Sequence, residues 1–136
     1  MIMLQSINST YKTDLQDELN KYKWSHICHL TFKYPKAIDT VKKQFARWIR
    51  GLEQENQKRV NWFYSIEQHL TGLPHLHALL GNTHTLKIDR LKTKWIWGNR
   101  RIQLYDQTKG GLFYVTKDIL WSEWDMNIKG FNQINN

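Results

Sequence analysis

Three side chains that can bind a divalent cation fall at alternate positions of two neighbouring segments. His75 and His77 are two residues apart, and in a β-strand such residues project from the same face. Glu67 has the same parity in the preceding segment, so a hairpin that pairs odd-numbered with odd-numbered residues would place it beside both histidines. A carboxylate with two imidazoles suits Mn²⁺ or Mg²⁺ and does not exclude Zn²⁺. We therefore expect a divalent metal site held by Glu67, His75 and His77, with His69 as the alternative to Glu67.

A tyrosine and a lysine one helical turn apart form a second group that could do chemistry. Tyr114 and Lys117 are three residues apart, and on a helix such side chains are neighbours. A tyrosine hydroxyl is a weak nucleophile unless the negative charge on its oxygen is stabilised, which a lysine ammonium can do. Gly110 and Gly111, just before, would let the backbone approach a phosphate closely or would form an ordinary turn. The pattern predicts a nucleophilic tyrosine assisted by Lys117; the non-functional interpretation is an exposed aromatic beside a surface lysine, as it is a solvated acid for Glu67.

Apolar and polar residues alternate in patterns that predict the elements positioning these groups. Strand periodicity is found in residues 24–33, 60–69, 75–81 and 100–105, and helical periodicity in residues 36–57, in residues 85–97 and after Gly110-Gly111. Even-numbered positions of the predicted hairpin are apolar, so we expect that face to meet helices. We predict an α+β domain with a central antiparallel sheet of about four or five strands and helices on at least one face. The single domain is expected to span residues 1–136, with 1–22 as a loose arm or short helix and 125–136 as a frayed tail.

Composition and charge favour a polyanionic partner. The chain has 20 Lys and Arg against 12 Asp and Glu, a net charge of +8 and a pI near 9.6, and basic surfaces attract nucleic acids. Some of the seven Trp could stack on unpaired bases, although most are expected in the core. Cys28, the single cysteine, excludes an intrachain disulfide and is expected to be a small buried hydrophobe. No P-loop sequence and no apolar run of about 18 residues is present, so we expect a cytoplasmic protein without nucleotide hydrolysis of its own.

Three segments, in this order, resemble the motifs of the HUH endonucleases, and most closely those of the replication initiators of small plasmids and single-stranded DNA viruses. Residues 28–32 (CHLTF) are similar to the first motif, a hydrophobic strand with a threonine. Residues 72–80 (GLPHLHALL) closely match the second, the histidine–hydrophobe–histidine motif, and Glu67 lies where the family often has a third metal ligand. Residues 114–117 (YVTK) are similar to the third, whose tyrosine is the nucleophile. The resemblance spans roughly residues 25–120.

The resemblance implies a metal site on the open face of the sheet and a helix that carries the tyrosine over that face. It implies a rolling-circle replication initiator that nicks single-stranded DNA or an origin hairpin, leaves a 5′-phosphotyrosine and later rejoins the strand. Tyr105 lies on a different predicted element from Tyr114, so a relay of two tyrosines is not expected. A host or separate helicase and a polymerase would act with the protein, and the oligomeric state stays open.

Basic residues near the predicted site are candidates for contacts with the DNA backbone, and a solvated surface is the alternative interpretation. They are Lys87, Lys92, Lys94, Arg100 and Arg101.

Three other functions compete with this one. A single-tyrosine transposase of the same family would use the same site on transposon-end hairpins as an obligate dimer, but the context of residues 74–80 favours replication. A non-catalytic single-stranded DNA-binding module would use the histidines structurally and the Trp residues for stacking. A small metal hydrolase is disfavoured by the basic charge and by the lack of a catalytic acid pair.

Overall fold

The strongest helical periodicity of the sequence forms the helix that supports one side of the sheet. This helix, α2, spans Ile38–Asn56 and ends at Gln57, which adopts a left-handed conformation and donates its backbone N–H to Glu53. One stripe of its residues, three or four positions apart, is buried, as the 36–57 pattern predicts. The buried residues are Val41, Phe45, Trp48, Ile49 and Leu52.

The computed structural model describes residues 2–68 and 72–134, and their side chains except those of residues 2–9 and 121. Its other helices are α1 (Ile2–Leu19), α3 (Ile88–Lys94) and α4 (Gly111–Thr116), with 3₁₀ turns at Gln107–Lys109 and Ile119–Trp121. Its strands are β1 (Trp24–Thr31), β2 (Asn61–Gln68), β3 (Pro74–Gly81), β4 (Arg100–Leu104) and β5 (Glu123–Asn127). The predicted α+β class and the four predicted strands are confirmed, and β5 is a fifth strand that the pattern did not predict.

The five strands form one antiparallel sheet in the order β4-β1-β3-β2-β5. In the β2–β3 hairpin, Glu67 pairs with His75 and Ser65 pairs with His77, so odd-numbered residues pair with odd-numbered residues as predicted. The turn of this hairpin includes residues 69–71, outside the described residues. On its other side β3 pairs with β1, where His29 lies opposite His77.

Helices cover both faces of the sheet. The even-numbered face packs against α2 and α3 in the larger core cluster, which includes Leu30, Leu76 and the buried Cys28 that the sequence predicted. The odd-numbered face is apolar at one end of the strands, where Phe63 pairs with Leu79, and this end packs against α1 and α4. The expectation of an open face is therefore wrong for half of it, because its apolar end requires a helical cover and only the end with the histidines and Glu67 is polar.

The chain ends are better ordered than the sequence pattern indicated. Of the two forms expected for residues 1–22, the structure has the helix, and its residues Leu15 and Leu19 are buried against the odd-numbered face. The tail from residue 125 is not frayed within the described range. Residues 125–127 complete β5, and the ring of Phe131 stacks on Tyr22 at a centroid distance of 5.1 Å and packs on Gly81, where a Cβ would clash with it.

The two later helices are shorter than predicted. α3 ends at Lys94 because Trp95 turns into an extended conformation, buries its ring and donates its indole N–H to the carbonyl of Thr31. α4 ends at Thr116, and the rest of the predicted helix contains the 3₁₀ turn. Within residues 2–68 and 72–134, no helix combines the length and apolar character that crossing a membrane requires.

A buried histidine on β1 gives the fold a pH-dependent stability. His26 is only 1% exposed, and its Nδ1 lies 2.6 Å from the hydroxyl of Thr83. Burial lowers the pKa of His26 from 6.5 to about 4, with a smaller contribution from the charge of His84. The unfolded chain therefore takes up a proton below about pH 6.5 while the folded chain keeps this imidazole neutral. Its contribution to stability is full above pH 6.5 and is lost as the pH falls toward 4.

We expect His26→Asn to reduce the slope of the unfolding free energy between pH 6.5 and 4, by a total on the order of 2 kcal/mol. Urea unfolding at a series of pH values measures this slope. His84→Asn, at an exposed position nearby, is the control and should keep the wild-type slope. A wild-type slope in His26→Asn would assign the pH dependence to other groups.

Candidate functional site

Three imidazoles gather at the polar end of the odd-numbered face, on the central strand β3 and its neighbour β1. We call His29, His75 and His77 the histidine cluster. The rings of His29 and His77 are stacked, with centroids 4.6 Å apart and planes at 11°. His29 Nε2 lies 3.4 Å from His75 Nδ1. The spacing of two residues in β3 and the cross-strand pairing of His29 with His77 are enough to produce this arrangement.

Glu67 reaches the cluster from β2. Its Oε1 lies 3.7 Å from His77 Nε2, and His77 Nδ1 is buried without a hydrogen-bond partner in the described chain. Burial, followed by the positive charges of His29, His75 and Lys117, lowers the pKa of His77 to about 4. His77 is therefore neutral at neutral pH, so its contact with Glu67 is not an ion pair and its ring keeps the lone pair that a metal ion requires.

The donor chemistry at this position fits a divalent cation. A buried imidazole nitrogen without a partner, a second imidazole from His75 and a carboxylate are ligand types that Mn²⁺ accepts, and Mg²⁺ accepts them with a stronger preference for oxygen. In the residues that the structure describes, no three His, Cys, Asp or Glu side chains already converge as a metal-binding cluster. His69, the alternative third ligand, lies outside the described residues.

Tyr114 approaches the cluster from α4, above the sheet. Its ring stands edge-on to the ring of His77, with centroids 5.0 Å apart and planes at 88°. Tyr114 is 48% exposed, so a substrate can reach it from solvent. The ammonium of Lys117 lies 5.5 Å from the centroid of the Tyr114 ring, as the three-residue spacing predicted. The structure thus brings Tyr114, Lys117, Glu67, His75 and His77 to one end of one face.

Contacts from two other elements hold α4 on the sheet. The hydroxyl of Ser65, on β2, donates to the carbonyl of Val115 at 2.9 Å. From α1, Gln16 donates its side-chain N–H to the hydroxyl of the buried Thr116 at 2.9 Å, and Lys12 donates to the carbonyl of Lys117 at 2.7 Å. The N-terminal helix therefore fixes the segment that carries the tyrosine.

We expect Gln16→Ala to lower the free energy of unfolding by about 1 kcal/mol, because it removes a partly buried hydrogen bond between two helices. It should also speed hydrogen exchange of the α4 amides, which report local opening of this helix. Asp14→Ala, exposed on the same helix, is the control and should leave that exchange unchanged. Equal exchange rates in wild type and Gln16→Ala would show that α1 does not hold α4 through this bond.

The five basic residues predicted to contact DNA are not gathered at the site. Lys87, Lys92 and Lys94 belong to α3 or its N-terminus, and α3 packs on the even-numbered face. Arg100 pairs with Leu30 in the even-numbered register. Only Arg101 shares the site's face, where it pairs with His29. A role of the other four in binding DNA stays a prediction for a surface away from Tyr114.

Two residues of the site were missed. His29 belongs to the cluster, and the alternation of apolar Cys28, Leu30 and Phe32 would have placed it on the polar face of its strand. Its pKa is lowered by burial and then by the charges of His75, Arg101 and Lys117. Ser65 supports α4 through its hydroxyl, and no sequence signal indicates that role.

Comparisons with known proteins agree with the position of these residues in the chain. Residues 27–121 match the sequence profile of the ORF2-type replication-associated protein family. The crystal structure of the hypothetical protein ORF119 from Sulfolobus islandicus rod-shaped virus 1 has a similar fold, with a TM-score of 0.56 and 19% sequence identity. The similarity covers 79% of this chain and 91% of the viral one. No curated protein sequence matches the chain. Because the matched segment is well over half of the sequence and includes the whole candidate site, the chain belongs to the ORF2-type family of replication-associated proteins.

Proposed function

We propose that this protein is a rolling-circle replication initiator: a metal-dependent, single-strand DNA endonuclease that cuts with Tyr114 and stays covalently attached to the DNA. The observation that carries the proposal is the edge-on contact of the Tyr114 ring with His77, which sits next to Glu67 in the sheet. A phenol, a lysine and a set of neutral metal-ligand side chains at one solvent-accessible place are the parts that phosphodiester transesterification needs. Membership of a replication-associated family and the basic charge support the same substrate.

Tyr114 is the nucleophile in this mechanism. Its oxygen attacks the scissile phosphorus, the bond to the 3′ oxygen breaks, and the 3′ oxygen leaves with a proton while the phenol proton passes to solvent. The product is a 5′-phosphotyrosine, which preserves one phosphodiester-like bond. A 3′-hydroxyl can therefore attack it later and rejoin the strand, and the 3′ end released first can prime a polymerase.

Glu67, His75 and His77 would hold the metal ion. The chemistry that a bound divalent cation supplies there is Lewis-acid polarisation of the scissile phosphate. His29 packs against His77 and fixes the orientation of its ring, and the burial that keeps His77 neutral preserves its ability to bind a cation.

Lys117 stabilises negative charge beside Tyr114, either on the phenolate oxygen or on the phosphate. Its charge already contributes to the lowering of the pKa of His29 and of His77, so its field reaches the rings of the site. The substrate is single-stranded because Tyr114 stands between α4 and the sheet, where the backbone of a paired duplex has poor access.

The test is a covalent-adduct assay with a pool of random single-stranded oligonucleotides labelled at the 3′ end, since the 3′ portion is the part that stays on the tyrosine. We expect a protein–DNA band that survives denaturing electrophoresis, forms with Mn²⁺ and disappears with excess chelator. Retention on a native gel without any covalent band would instead indicate a non-catalytic binding module and would refute the proposal.

A further inference from the structure

A cavity of about 370 Å³ opens between β1, β4 and the start of α4. His29 and Tyr114 form part of its wall, so the cavity is continuous with the candidate site. Its remaining walls include Arg101, Gln103 and Tyr105. This volume lies within the range of roughly 300–1,000 Å³ that is typical of small-ligand pockets. The chemistry at Tyr114 does not use this space.

The walls of the cavity offer flat apolar surface. Tyr105 is half-buried and lies under Gly111, where even a Cβ would be only 3.2 Å from its ring. Leu104 lines the cavity and is 69% exposed. Phe113, equally exposed, lies beside Gly110 at the same border. Such exposed aromatic and apolar surface is what unpaired bases stack upon.

The polar groups of the cavity are those that a nucleotide requires. Gln103, on the edge strand β4, presents an amide that can donate and accept hydrogen bonds at once. Arg101 and Lys109 provide two positive charges. The one acid in the lining, Asp106, is already engaged, because its carboxylate accepts hydrogen bonds from the backbone N–H and the hydroxyl of Thr108, and these bonds lower its pKa. The cavity wall is therefore net positive where a phosphodiester would pass.

We propose that this cavity binds an unpaired nucleobase of the DNA strand next to the scissile phosphate, with the amide of Gln103 on the base edge and Arg101 on the backbone. The inference rests on the proposed function, since it uses the same strand that Tyr114 attacks. Gln103 then decides which base is accepted beside the cleavage point, because a paired donor and acceptor discriminates among base edges. Arg101 contributes affinity that does not depend on the base.

The experiment measures binding without cleavage. Tyr114→Phe protein in excess chelator is titrated into fluorescein-labelled short homopolymers of dA, dC or dT, and fluorescence anisotropy gives the three affinities. Gln103→Leu and Gln103→Glu are then made in the same background, with circular dichroism to confirm folding. Gln54→Leu, at an exposed position on α2 on the opposite side of the sheet, is the matched control.

In the parent protein we expect the best and worst homopolymers to differ on the order of tenfold in affinity. Gln103→Leu should reduce this spread to about threefold or less, Gln103→Glu should change the order of the three, and Gln54→Leu should keep both spread and order. Equal affinities in the parent, or an unchanged spread and order in both Gln103 variants, would overturn the proposal. A Gln103-dependent preference in a chain whose native tyrosine forms no adduct would refute the nicking function and leave the cavity assignment standing.

Discussion

Tyr114→Phe is expected to abolish the covalent protein–DNA adduct and strand cleavage, a loss on the order of 10³-fold or more, while DNA affinity stays nearly unchanged. The substitution removes only the oxygen that forms the bond to phosphorus. The ring and its edge-on packing against His77 remain. The adduct assay measures the first effect, and anisotropy with the same oligonucleotide pool measures the second.

Tyr34→Phe is the matched control for this substitution. Tyr34 is 68% exposed and follows β1, at a position that has no part in the site, so its variant should form the adduct as wild type does. An adduct of wild-type yield in Tyr114→Phe would show that another residue is the nucleophile.

His77→Ala is expected to remove metal-stimulated cleavage, with a loss of roughly 10²- to 10⁴-fold in rate. It removes the buried imidazole whose Nδ1 has no partner in the described chain and whose Nε2 faces Glu67. Binding of Mn²⁺, followed as the decrease of the free-ion signal in electron paramagnetic resonance, should weaken in parallel. Glu67→Gln, which keeps the shape and removes the charge, should weaken Mn²⁺ binding in the same assay.

His84→Ala serves as the control for the metal prediction, because this histidine is exposed and follows the opposite end of β3. It should bind Mn²⁺ and cleave DNA as wild type does. Full activity of His77→Ala, or of the wild-type protein in excess chelator, would contradict a metal site at Glu67, His75 and His77.

The part of the site that was predictable from sequence is the part that depends on local periodicity. Two residues per repeat in a strand place His75 and His77 on one face, and a short hairpin fixes the parity of Glu67 relative to them. On α4, a spacing of three residues places Lys117 next to Tyr114. These relations need no knowledge of distant contacts, so the structure reproduces them.

The features that sequence patterns missed depend on contacts between distant segments. His29 joins the cluster only because β1 pairs with β3 from the side opposite the hairpin, and that register spans about 46 residues of chain. The polar N-terminal segment becomes a docked helix because the apolar end of the odd-numbered face needs cover, which Leu15 and Leu19 provide. β5 forms by pairing with β2 from the far end of the sequence, although its own residues have weak strand periodicity.

The position of α3 shows the same limitation for surface charge. Its lysines were grouped with Arg101 because they are near it in sequence, but α3 packs on the even-numbered face. Proximity in sequence across a strand connection does not decide which side of a sheet a helix occupies, and the structure therefore leaves Arg101 as the one predicted basic residue on the face of the site.

Identification of the DNA-linked peptide tests the central claim most directly. Wild-type protein is reacted with single-stranded DNA and Mn²⁺, the DNA is trimmed with nuclease, and the tryptic peptides are analysed by mass spectrometry. We predict a nucleotide mass on the peptide of residues 110–117 (GGLFYVTK), whose one tyrosine is Tyr114. The same mass on the peptide of residues 102–109 (IQLYDQTK), or on any other peptide, would contradict Tyr114 as the residue that joins this protein to DNA.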